Sequence, residues 1–464
     1  MADFDVAVLG GGPAGYVAGI RGAQLGGRVC VIEREKAGGT CLNWGCIPTK
    51  SLIASADVLR LTKRAAEYGV IIDGEVRADF AAMMARKDKI VSGMVRGIEG
   101  LFKSHGVTHV KGRGVLDSDG RIQVKEGERK PSELAADKIL LATGSRPAQF
   151  PAFPTDGVDI LTSDDAVTLK EVPESLLIVG AGIIGCEFAF LFQALGCEVT
   201  VLEMLPRAVA TEDEDISKTL ERELKKEKIR LVVNQKIERV EKKRGYVEAR
   251  LAGGETVKAR KALVSIGRAP NAEDIGLETV GVALAEQGHI RVNERMQANV
   301  PGIYAAGDVA GGKLLAHKAS AEGIVAMTNA LGGDKTMRYE AVPAGIFTHP
   351  EIGSIGLTEA QARQAGRSVK AGRFPYRALG RSQVAGEIAG EVKVVADEAT
   401  GEILGVHIIG ANAAELIHEA AVAMRWELTV DELAETVHAH PTLSECVMEA
   451  AHAVRGMSAH QPKV

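Results

Sequence analysis

Residues 4 to 33 of the chain read FDVAVLGGGPAGYVAGIRGAQLGGRVCVIE. This pattern predicts an apolar strand, a glycine-rich turn, a helix and a second strand that ends at Glu33. Gly10 permits the tight turn, Gly12 lets the backbone approach a pyrophosphate, and Gly15 allows the helix to pack closely on the strand. The unpaired N–H groups at the helix start would face the phosphates, and Glu33 would accept hydrogen bonds from ribose hydroxyls. The stretch therefore predicts a βαβ unit that binds a dinucleotide.

The same pattern returns at residues 176 to 203, which read LLIVGAGIIGCEFAFLFQALGCEVTVLE. Its three glycines and its terminal acid are Gly180, Gly182, Gly185 and Glu203. The acid follows the last glycine by 18 residues in both copies, so a whole supersecondary unit is repeated. One dinucleotide site per copy is the simplest interpretation, and it predicts an α/β fold with two Rossmann-like domains.

Charge indicates which dinucleotide the second unit prefers. The carboxylate of Glu203 would repel a 2′-phosphate, and no arginine follows it immediately to receive one. NAD is therefore favoured over NADP at this unit. Arg207 is the nearby cation that could reverse the preference.

Two further segments have the pattern of strand ends that form a floor beneath a cofactor. They are KILLATGSRP at residues 138 to 147 and GIYAAGDVAGG at residues 302 to 312. Asp308 follows a strand and a glycine, which would direct its carboxylate towards a polyol or ribose chain. An ordinary aspartate turn or helix cap is the alternative interpretation.

Length and composition limit the class of protein. A chain of 464 residues is too long for one core, and about three domains are expected. The net charge is −5 with dispersed lysine and arginine, which disfavours nucleic acid as a partner. The start MADFDVAVLGGG lacks the basic region of a signal peptide, and no apolar run reaches the ~18 residues of a membrane span. We therefore predict a cytoplasmic protein without a membrane span, although a mature organellar chain would look the same.

The segment GGTCLNWGCIPTK, residues 38 to 50, places Cys41 and Cys46 five positions apart. Six cysteines in a chain of this length are too sparse for a secreted disulfide framework. In a regular helix, Cα atoms five residues apart are separated by ~8.6 Å, which exceeds the ~7 Å that a disulfide can bridge. A bond between the two cysteines would therefore require a helix that is distorted or begins after Cys41. Gly45 and Pro48 suit such a break.

The local sequence leaves more than one chemistry open for this pair. A metal site would need further Cys or His ligands at short spacing, none lies nearby, and no metal is predicted. A helix start beside Lys50 would favour a reactive thiolate, whereas two unrelated buried thiols are the alternative. The other cysteines lie within strand or helix patterns and are expected to be buried: Cys30, Cys186, Cys197 and Cys446. A redox pair beside two dinucleotide units would indicate an electron relay with a flavin as the middle carrier.

From about residue 341 the pattern changes to strands and helices without a glycine-rich turn. A hairpin is predicted in EVKVVADEATGEILGVHIIG, with its turn at residues 397 to 401, and helices are predicted from Ala413 onward. Near the end, VHAHPTLSECVMEAAHAV places His440 before Pro441, which favours an extended loop.

His440 could act as a base near neutral pH, with Glu445 orienting the imidazole and stabilising its charged form. Residues 442 to 445 also fit a capping box, so Glu445 could simply cap its own helix. The further alternatives are that His440 is an ordinary exposed loop residue, or that the nearby His438 is the base.

These motifs occur in the order found in one protein family. GGTCLNWGCIPTK, both glycine repeats, ATGSRP, SIGRAPN, AAGDVAGG, LLAHKASAEG and HAHPTLSE together resemble the flavin-dependent pyridine nucleotide-disulfide oxidoreductases over the whole chain. The resemblance implies that the protein is a homodimer. It also implies that each chain has four parts: an FAD domain at 1–147, an NAD domain at 148–271, a central segment at 272–341 that returns to the FAD domain, and a C-terminal α+β dimerisation domain at 342–464.

The resemblance also implies which residues bind each cofactor. FAD is expected to contact Gly10, Gly12, Gly15, Glu33, Lys50, Gly114, Thr143, Gly144, Ser145, Asp308, Leu314, Leu315, Ala316 and His317. NAD is expected to contact Gly180, Gly182, Gly185, Glu187, Glu203, Ile237 and Gly267. In the family, the lysine matching Lys50 lies near the flavin and pairs with the glutamate matching Glu187.

Within the family, the chain most resembles the members that oxidise protein-bound dihydrolipoamide with NAD+. The implied catalytic residues are Cys41, Cys46, Lys50, Glu187, His440 and Glu445. His440, reaching in from the other subunit, would deprotonate a substrate thiol that attacks Cys41, and electrons would pass from Cys46 through FAD to NAD+. The implied partner is the lipoyl-bearing acyltransferase of a 2-oxo acid dehydrogenase complex or the H-protein of glycine cleavage.

Other activities of the family fit the sequence less well. Members that reduce glutathione disulfide use NADPH, for which Glu203 is unsuitable. Mercury-reducing members carry a C-terminal cysteine pair, whereas the last cysteine here is Cys446. A docking role in a multienzyme assembly, with a subsidiary redox site, is an alternative of a different class. Trp44 and Thr49 stand where the family often has Val and Ser, and Trp44 could narrow the approach to the cysteine pair or pack behind it.

Overall fold

The first glycine-rich unit opens the fold of the computed structural model, which describes residues 2–127 and 131–462. The elements up to residue 147 are β1 (Phe4–Leu9), α1 (Pro13–Gln24), β2 (Val29–Glu33), α2 (Gly39–Asn43), α3 (Cys46–Lys63), α4 (Phe80–His105), β3 (Thr108–Lys111), β4 (Arg113–Leu116), β5 (Ile122–Lys125), β6 (Ser132–Leu134), β7 (Ala136–Leu141) and β8 (Ser145–Pro147). Strand β2 is buried throughout, as expected at the centre of a parallel sheet with both faces covered. The predicted strand, helix and strand are confirmed.

The second glycine-rich unit begins a second set of elements. They are β9 (Ile160–Leu161), α5 (Ser163–Ala166), β10 (Ser175–Val179), α6 (Ile183–Ala194), β11 (Glu198–Leu202), α7 (Glu214–Lys226), β12 (Arg230–Val232), β13 (Ile237–Lys242), β14 (Val247–Leu251), β15 (Thr256–Ala259), β16 (Lys261–Val264) and β17 (Arg268–Pro270). Glu203 follows β11 directly, as Glu33 ends β2. The predicted repeat of the βαβ unit is therefore confirmed.

The remaining elements complete the first sheet and build a third. They are α8 (Leu277–Val280), β18 (Ile303–Ala305), α9 (Ala316–Ala330), β19 (Ala344–Ile346), β20 (Glu351–Gly356), α10 (Glu359–Gln364), β21 (Val369–Pro375), α11 (Gly380–Ala385), β22 (Glu391–Asp397), β23 (Ile403–Gly410), α12 (Ala413–Arg425), α13 (Val430–Glu435) and α14 (Glu445–Val454). Short 3-10 helices lie at Ala65–Tyr68, Asp308–Ala310 and Tyr376–Ala378. The predicted hairpin is the antiparallel pair of β22 and β23, and α12 begins at the predicted Ala413.

Two parallel sheets carry the dinucleotide units. The first has the strand order β3-β2-β1-β7-β18, and the second has the order β12-β11-β10-β16-β9. The chain between β3 and β7 forms a separate three-stranded antiparallel sheet, β4-β5-β6. The chain between β12 and β16 forms the corresponding sheet of the second unit, β13-β14-β15. The repeat therefore extends well beyond the βαβ unit that the glycine motif predicts.

The later segments pack onto this frame. Strand β18 pairs in parallel with β7, so residues within 272–341 belong to the first sheet. The C-terminal sheet is antiparallel, in the order β19-β20-β23-β22-β21, and the buried faces of α12 and α14 join its core. The predicted fold class, two Rossmann-like units and a C-terminal α+β unit, is confirmed. The limits of the four domains stay predictions.

Candidate active site

A cavity of about 2450 Å³ lies between the two glycine-rich turns and the C-terminal sheet. Most residues predicted to bind a cofactor line it: Gly10, Gly12, Glu33, Lys50, Thr143, Gly144, Ser145, Asp308, Leu314, Leu315, Ala316, His317, Gly180, Gly182, Glu187, Glu203, Ile237 and Gly267. Of the predicted positions, all within the described part of the chain, Gly15, Gly114 and Gly185 do not line the cavity. Positions spread over the sequence thus surround one space, and their cofactor contacts stay predictions.

The first glycine of each turn has a backbone conformation that side chains disfavour. Gly10 has a φ of 104° and Gly180 a φ of 102°. A Cβ on Gly10 would also lie 2.2 Å from the carbonyl oxygen of Ala142, and one on Gly180 would lie 2.6 Å from that of Ser265. Each turn therefore requires glycine, as the motif predicts.

The third glycine of each motif lets helix and turn pack closely. A Cβ on Gly15 would lie 1.8 Å from the carbonyl oxygen of Gly10, and one on Gly185 would lie 2.0 Å from that of Gly180. Gly114 is also in a packed position, because its Cβ would lie 3.0 Å from Leu9 Cγ. These contacts explain why the three positions are set back from the cavity.

The helix starts offer binding sites for phosphate. Helices α1 and α6 begin directly after Gly12 and Gly182, and neither N-terminus has a side-chain cap. A Cβ on Gly182 would meet no atom within 4 Å, so open space lies in front of it. Uncapped N–H groups facing open space are the arrangement that binds a pyrophosphate. The residues present therefore fit one dinucleotide at each turn.

Glu33 and Glu203 have matching surroundings in the two units. One oxygen of Glu33 accepts a hydrogen bond from the N–H of Gly11, and one of Glu203 accepts from that of Ala181, both at 2.7 Å. In each case the other oxygen accepts from the N–H two residues further on, at 2.8 Å. The two acids therefore stabilise the glycine turns as well as lining the cavity, a role that the motif did not predict.

Arg207 is turned towards its own loop. Its Nη2 donates to the carbonyl oxygens of Ala210 at 2.9 Å and Glu212 at 3.3 Å. Glu203 lines the cavity, whereas Arg207 is not among the described residues that line it. The positions of Glu203 and Arg207 therefore agree with the preference for NAD over NADP that their charges predict.

A short hydrogen-bond chain joins the two predicted cofactor floors. The hydroxyl of Ser145 donates to Oδ2 of Asp308 at 2.5 Å. Arg268 donates from Nε to the same hydroxyl at 2.7 Å and from Nη2 to the carbonyl oxygen of Ser145 at 2.9 Å. Asp308 is therefore held in place by a partner from another strand end, and Arg268 is a member of the site that the sequence did not predict.

The two cysteines lie on either side of a helix break. Cys41 lies in α2, which ends at Asn43, and Cys46 is the first residue of α3. Trp44 and Gly45 separate the two helices, so the break predicted from the cysteine spacing is confirmed. Cys46 therefore lies at the positive end of an 18-residue helix, where a thiolate is favoured.

The two thiols are hydrogen-bonded to each other and differ in acidity. The hydrogen bond to Cys46 and the burial of the thiol both raise the pKa of Cys41. The same bond lowers the pKa of Cys46 to about 7, against the effect of burial and with help from the charge of Lys50. Burial raises the pKa of each of the other thiols to about 12: Cys30, Cys186, Cys197 and Cys446. Cys46 is therefore the more acidic thiol of the pair, and the remaining four are buried, as predicted.

Lys50 links the dithiol to the rest of the protein. Its Nζ lies 2.8 and 2.7 Å from the two carboxylate oxygens of Glu187, which is 3% exposed. Glu187 also accepts a hydrogen bond from the N–H of Phe347 at 2.9 Å, and the ring of Phe347 lies 4.9 Å from Lys50 Nζ. Three separate parts of the chain thus fix the charge that stands beside Cys46.

Replacing Lys50 with methionine is expected to raise the pKa of Cys46 above about 7, because the charge that favours its thiolate is removed. The ultraviolet absorbance of the thiolate in the reduced protein, titrated against pH and corrected with the Cys46→Ser variant, measures this shift. Lys63→Met, at the far end of the same helix, is the matched control and should leave the titration unchanged. A pKa in Lys50→Met equal to or below that of the original protein would contradict the electrostatic role.

Trp44 forms part of the cavity wall. It ends α2 beside Gly45 and is half-buried. It lines the same cavity as Cys41 and Cys46. Whether its indole narrows the approach to the dithiol or packs behind it stays a prediction.

Glu445 has two partners, one for each carboxylate oxygen. Oε1 lies 2.9 Å from Nδ1 of His440, and Oε2 accepts from the N–H of Thr442 at 2.8 Å. Partial burial raises the pKa of Glu445, but the hydrogen bonds from His440 and Thr442 outweigh it, and the net shift is downward. Glu445 therefore orients His440 and also holds the N–H of Thr442. The predicted capping box is not formed, because α14 begins at Glu445 itself and its N-cap, Ser444, makes no side-chain cap.

His440 and the dithiol are not brought together within one chain. The side chain of His440 is 78% exposed, and its loop lies between α13 and α14. Within residues 2–127 and 131–462, the cavity lining includes Cys41, Cys46 and Lys50 but neither His440 nor Glu445. His438, the rival base, is 5% exposed at its side chain and contacts Glu419 instead.

The described residues form neither a membrane-spanning helix nor a cluster of metal ligands. No helix in them is long and apolar enough to cross a membrane. No group of three or more His, Cys, Asp or Glu side chains in them is arranged to hold a metal ion.

Comparison with known proteins places this geometry in a family. The family model described as pyridine nucleotide-disulphide oxidoreductase matches residues 4–323, and the model of its dimerisation domain matches residues 342–451. The chain is 42% identical to the dihydrolipoyl dehydrogenase of Chlamydia muridarum, over 99% of this chain and 98% of that protein. It is 41% identical to the mitochondrial dihydrolipoyl dehydrogenase of Pisum sativum, over 98% and 92% of the two chains.

Solved structures show the same relationship. LpdA from Mycobacterium tuberculosis superposes with a TM-score of 0.91 at 32% identity, covering 96% of this chain and 98% of that one. The HOCl-induced flavoprotein disulfide reductase RclA from Escherichia coli gives a TM-score of 0.85 at 26% identity, over 96% and 99% of the two chains. The predicted resemblance is therefore confirmed, and the chain belongs to the pyridine nucleotide-disulphide oxidoreductase family.

Proposed function

We propose that the protein oxidises protein-bound dihydrolipoamide to lipoamide and reduces NAD+ to NADH. The observation that carries the proposal is Cys46, a thiol with a lowered pKa at a helix start beside Lys50, hydrogen-bonded to Cys41 in a cavity shared by two dinucleotide turns. Relatives named dihydrolipoyl dehydrogenase, at 41 and 42% identity over nearly the full length, support the same reaction.

The first turn is proposed to hold FAD and the second to hold NAD. When bound, FAD exchanges two electrons with a dithiol and with a nicotinamide, so it links two carriers that react less readily with each other. The chain's own part is to bind phosphate at the uncapped starts of α1 and α6. Asp308, held by Ser145, would accept from the sugar chain of FAD, and Lys50 would lie beside the reactive end.

The residues of the dithiol site account for the sulfur chemistry. The Nδ1 of His440 is engaged by Glu445, so Nε2 is the atom that would take the proton from a substrate thiol. The reaction starts from the oxidised pair, in which a disulfide bond would join Cys41 and Cys46. The resulting substrate thiolate attacks Cys41, this bond breaks, and Cys46 leaves as a thiolate. The second substrate thiol then displaces Cys41, which closes the lipoyl disulfide. Two electrons pass to the cysteine pair, and NAD+ is their final acceptor.

The site is proposed to form between two copies of the chain. His440 is exposed and is absent from the described lining of its own cavity, while residues 342–451 match a dimerisation domain. In a two-fold dimer, each copy would offer His440 to the other's dithiol. The partner that delivers the substrate would be a lipoyl-bearing acyltransferase or the glycine-cleavage H-protein. A reducing compartment such as the cytoplasm suits a chain with four buried free thiols.

NAD+ is expected to be used at least about 100-fold better than NADP+ by kcat/KM, because the carboxylate of Glu203 would repel the 2′-phosphate and Arg207 is turned towards its own loop. The comparison requires steady-state rates with the two coenzymes at fixed dihydrolipoamide concentration. Equal use of NADP+ would contradict the roles given to Glu203 and Arg207.

A substrate panel tests the proposed function. The FAD-loaded dimer is assayed with dihydrolipoamide and NAD+ or NADP+, and with glutathione disulfide or Hg(II) and NADH or NADPH. Rapid reduction of NAD+ by dihydrolipoamide, with little turnover of the other substrates, is the expected pattern. Turnover of glutathione disulfide with NADPH, or no turnover of dihydrolipoamide, would overturn the proposal.

A further inference from the structure

His438 lies two residues before His440, and both of its ring nitrogens face acceptors. Nδ1 lies 2.7 Å from the carbonyl oxygen of Thr436, and Nε2 lies 2.6 Å from Oε1 of Glu419 on α12. The side chain of His438 is only 5% exposed. Two acceptors on different elements therefore hold the buried ring of His438, one in its own loop and one on α12.

The loop around His440 is held on both sides of that residue. On one side, the hydroxyl of Thr436 donates to the carbonyl oxygen of Glu432 at 2.7 Å, and His438 contacts α12. On the other side, the N–H of Thr442 donates to Oε2 of Glu445 on α14 at 2.8 Å, and the hydroxyl of Thr442 donates to the carbonyl oxygen of Ala439 at 2.7 Å. His440 thus lies at the exposed apex of a loop whose two limbs are fixed to helices.

Helix α12 is a rigid support for the first of these limbs. Its Ile417 and Ala420 are buried in the C-terminal core, at 1% and 0% exposure. Glu419 projects from the same helix and remains 28% exposed at its side chain. A hydrogen bond to such a helix fixes the loop more firmly than a contact to another loop would, because buried packing holds the helix in place.

We propose that the contact between His438 and Glu419 is the positioning element that fixes the direction in which His440 is presented to the partner subunit. His438 then acts through His440 and is not itself the base. This inference rests on the proposed function, because it requires that His440 deprotonates the substrate. Glu445 orients the imidazole of His440, but the exposed side chain has little packing of its own, so the position of the ring also depends on the anchored backbone. A displacement of about 1 Å can lower a proton-transfer rate roughly 100-fold.

The test uses Glu419→Ala and His438→Ala in the full-length, FAD-loaded dimer. Two reactions are compared: NAD+ reduction by dihydrolipoamide, which needs His440, and NADH oxidation by ferricyanide, which does not need the dithiol base. The kcat of the first is expected to fall roughly 10- to 100-fold, with KM for NAD+ and the ferricyanide rate within about twofold of the original. Glu419→Gln keeps an acceptor oxygen for Nε2 and should restore most of the lost rate.

A control and the contrary outcomes complete the test. Arg425→Ala removes an exposed charge from the same helix and should leave both reactions unchanged. The inference is overturned if both alanine variants keep dihydrolipoamide kcat within about twofold, or if both reactions fall together, which would indicate a general loss of structure. Absence of dihydrolipoamide activity in the original protein would instead overturn the proposed function itself.

Discussion

Replacing Cys46 with serine is expected to lower dihydrolipoamide-dependent NAD+ reduction at least about 1000-fold, because the chain loses the sulfur that receives the electron pair. A serine hydroxyl cannot form the bond to Cys41 that the substrate must break. Its alkoxide is also a far poorer leaving group than the thiolate, whose pKa is lowered to about 7 here. Steady-state NADH formation by the FAD-loaded dimer measures the effect.

The control for this variant separates redox chemistry from folding. Cys197→Ala removes a thiol that is buried and whose pKa is raised to about 12 by burial, so it should leave the rate nearly unchanged. NADH oxidation by ferricyanide should survive in Cys46→Ser, because it does not use the cysteine pair. Retention of dihydrolipoamide turnover within about tenfold would rule out the dithiol mechanism.

Replacing His440 with glutamine is expected to lower the same reaction by about 10²- to 10⁴-fold, since a positioned base contributes that much to a proton transfer. Glutamine retains a polar side chain of similar reach but cannot take a proton near neutral pH. The loss should lessen as the pH rises, because more of the substrate thiol is then already ionised without a base. Measuring kcat/KM against pH for both proteins tests this dependence.

The matched control is His105→Gln, at the exposed end of α4, which should behave like the original protein. Glu445→Gln should give a smaller loss than His440→Gln, because the base remains but loses the carboxylate that orients it. A constant ratio of the His440→Gln rate to the original rate at every pH would contradict the role of His440 as a base.

Local geometry explains what could be predicted from the sequence. The conformation of Gly10 and the close packing of Gly15 depend on residues within a few positions, so the motif determines them. The helix break between Cys41 and Cys46 could be predicted because Cα atoms five residues apart in a regular helix are further apart than a disulfide can bridge. The extended loop at His440 follows from the proline after it. Each of these predictions needed only neighbouring residues.

Contacts between distant segments account for what the sequence did not predict. Arg268 meets Ser145 across 123 positions, and Phe347 meets Glu187 across 160 positions. Hydrophobic periodicity indicates the type of an element but not which distant element it meets, so these partners leave no local signal. The contact of His438 with Glu419 is a further example, because nothing near His438 in the sequence indicates an acid on α12.

One measurement tests most directly whether two copies of the chain build each dithiol site. Cys46→Ser and His440→Gln chains carrying different affinity tags are coexpressed, and the mixed dimer is purified through both tags. One of its two sites then combines an intact dithiol with an intact histidine from the other subunit, whereas the second site lacks both. The account predicts about half of the original rate of NAD+ reduction by dihydrolipoamide in the mixed dimer, although each parent dimer is almost inactive. A mixed dimer as inactive as its parents would contradict the shared site.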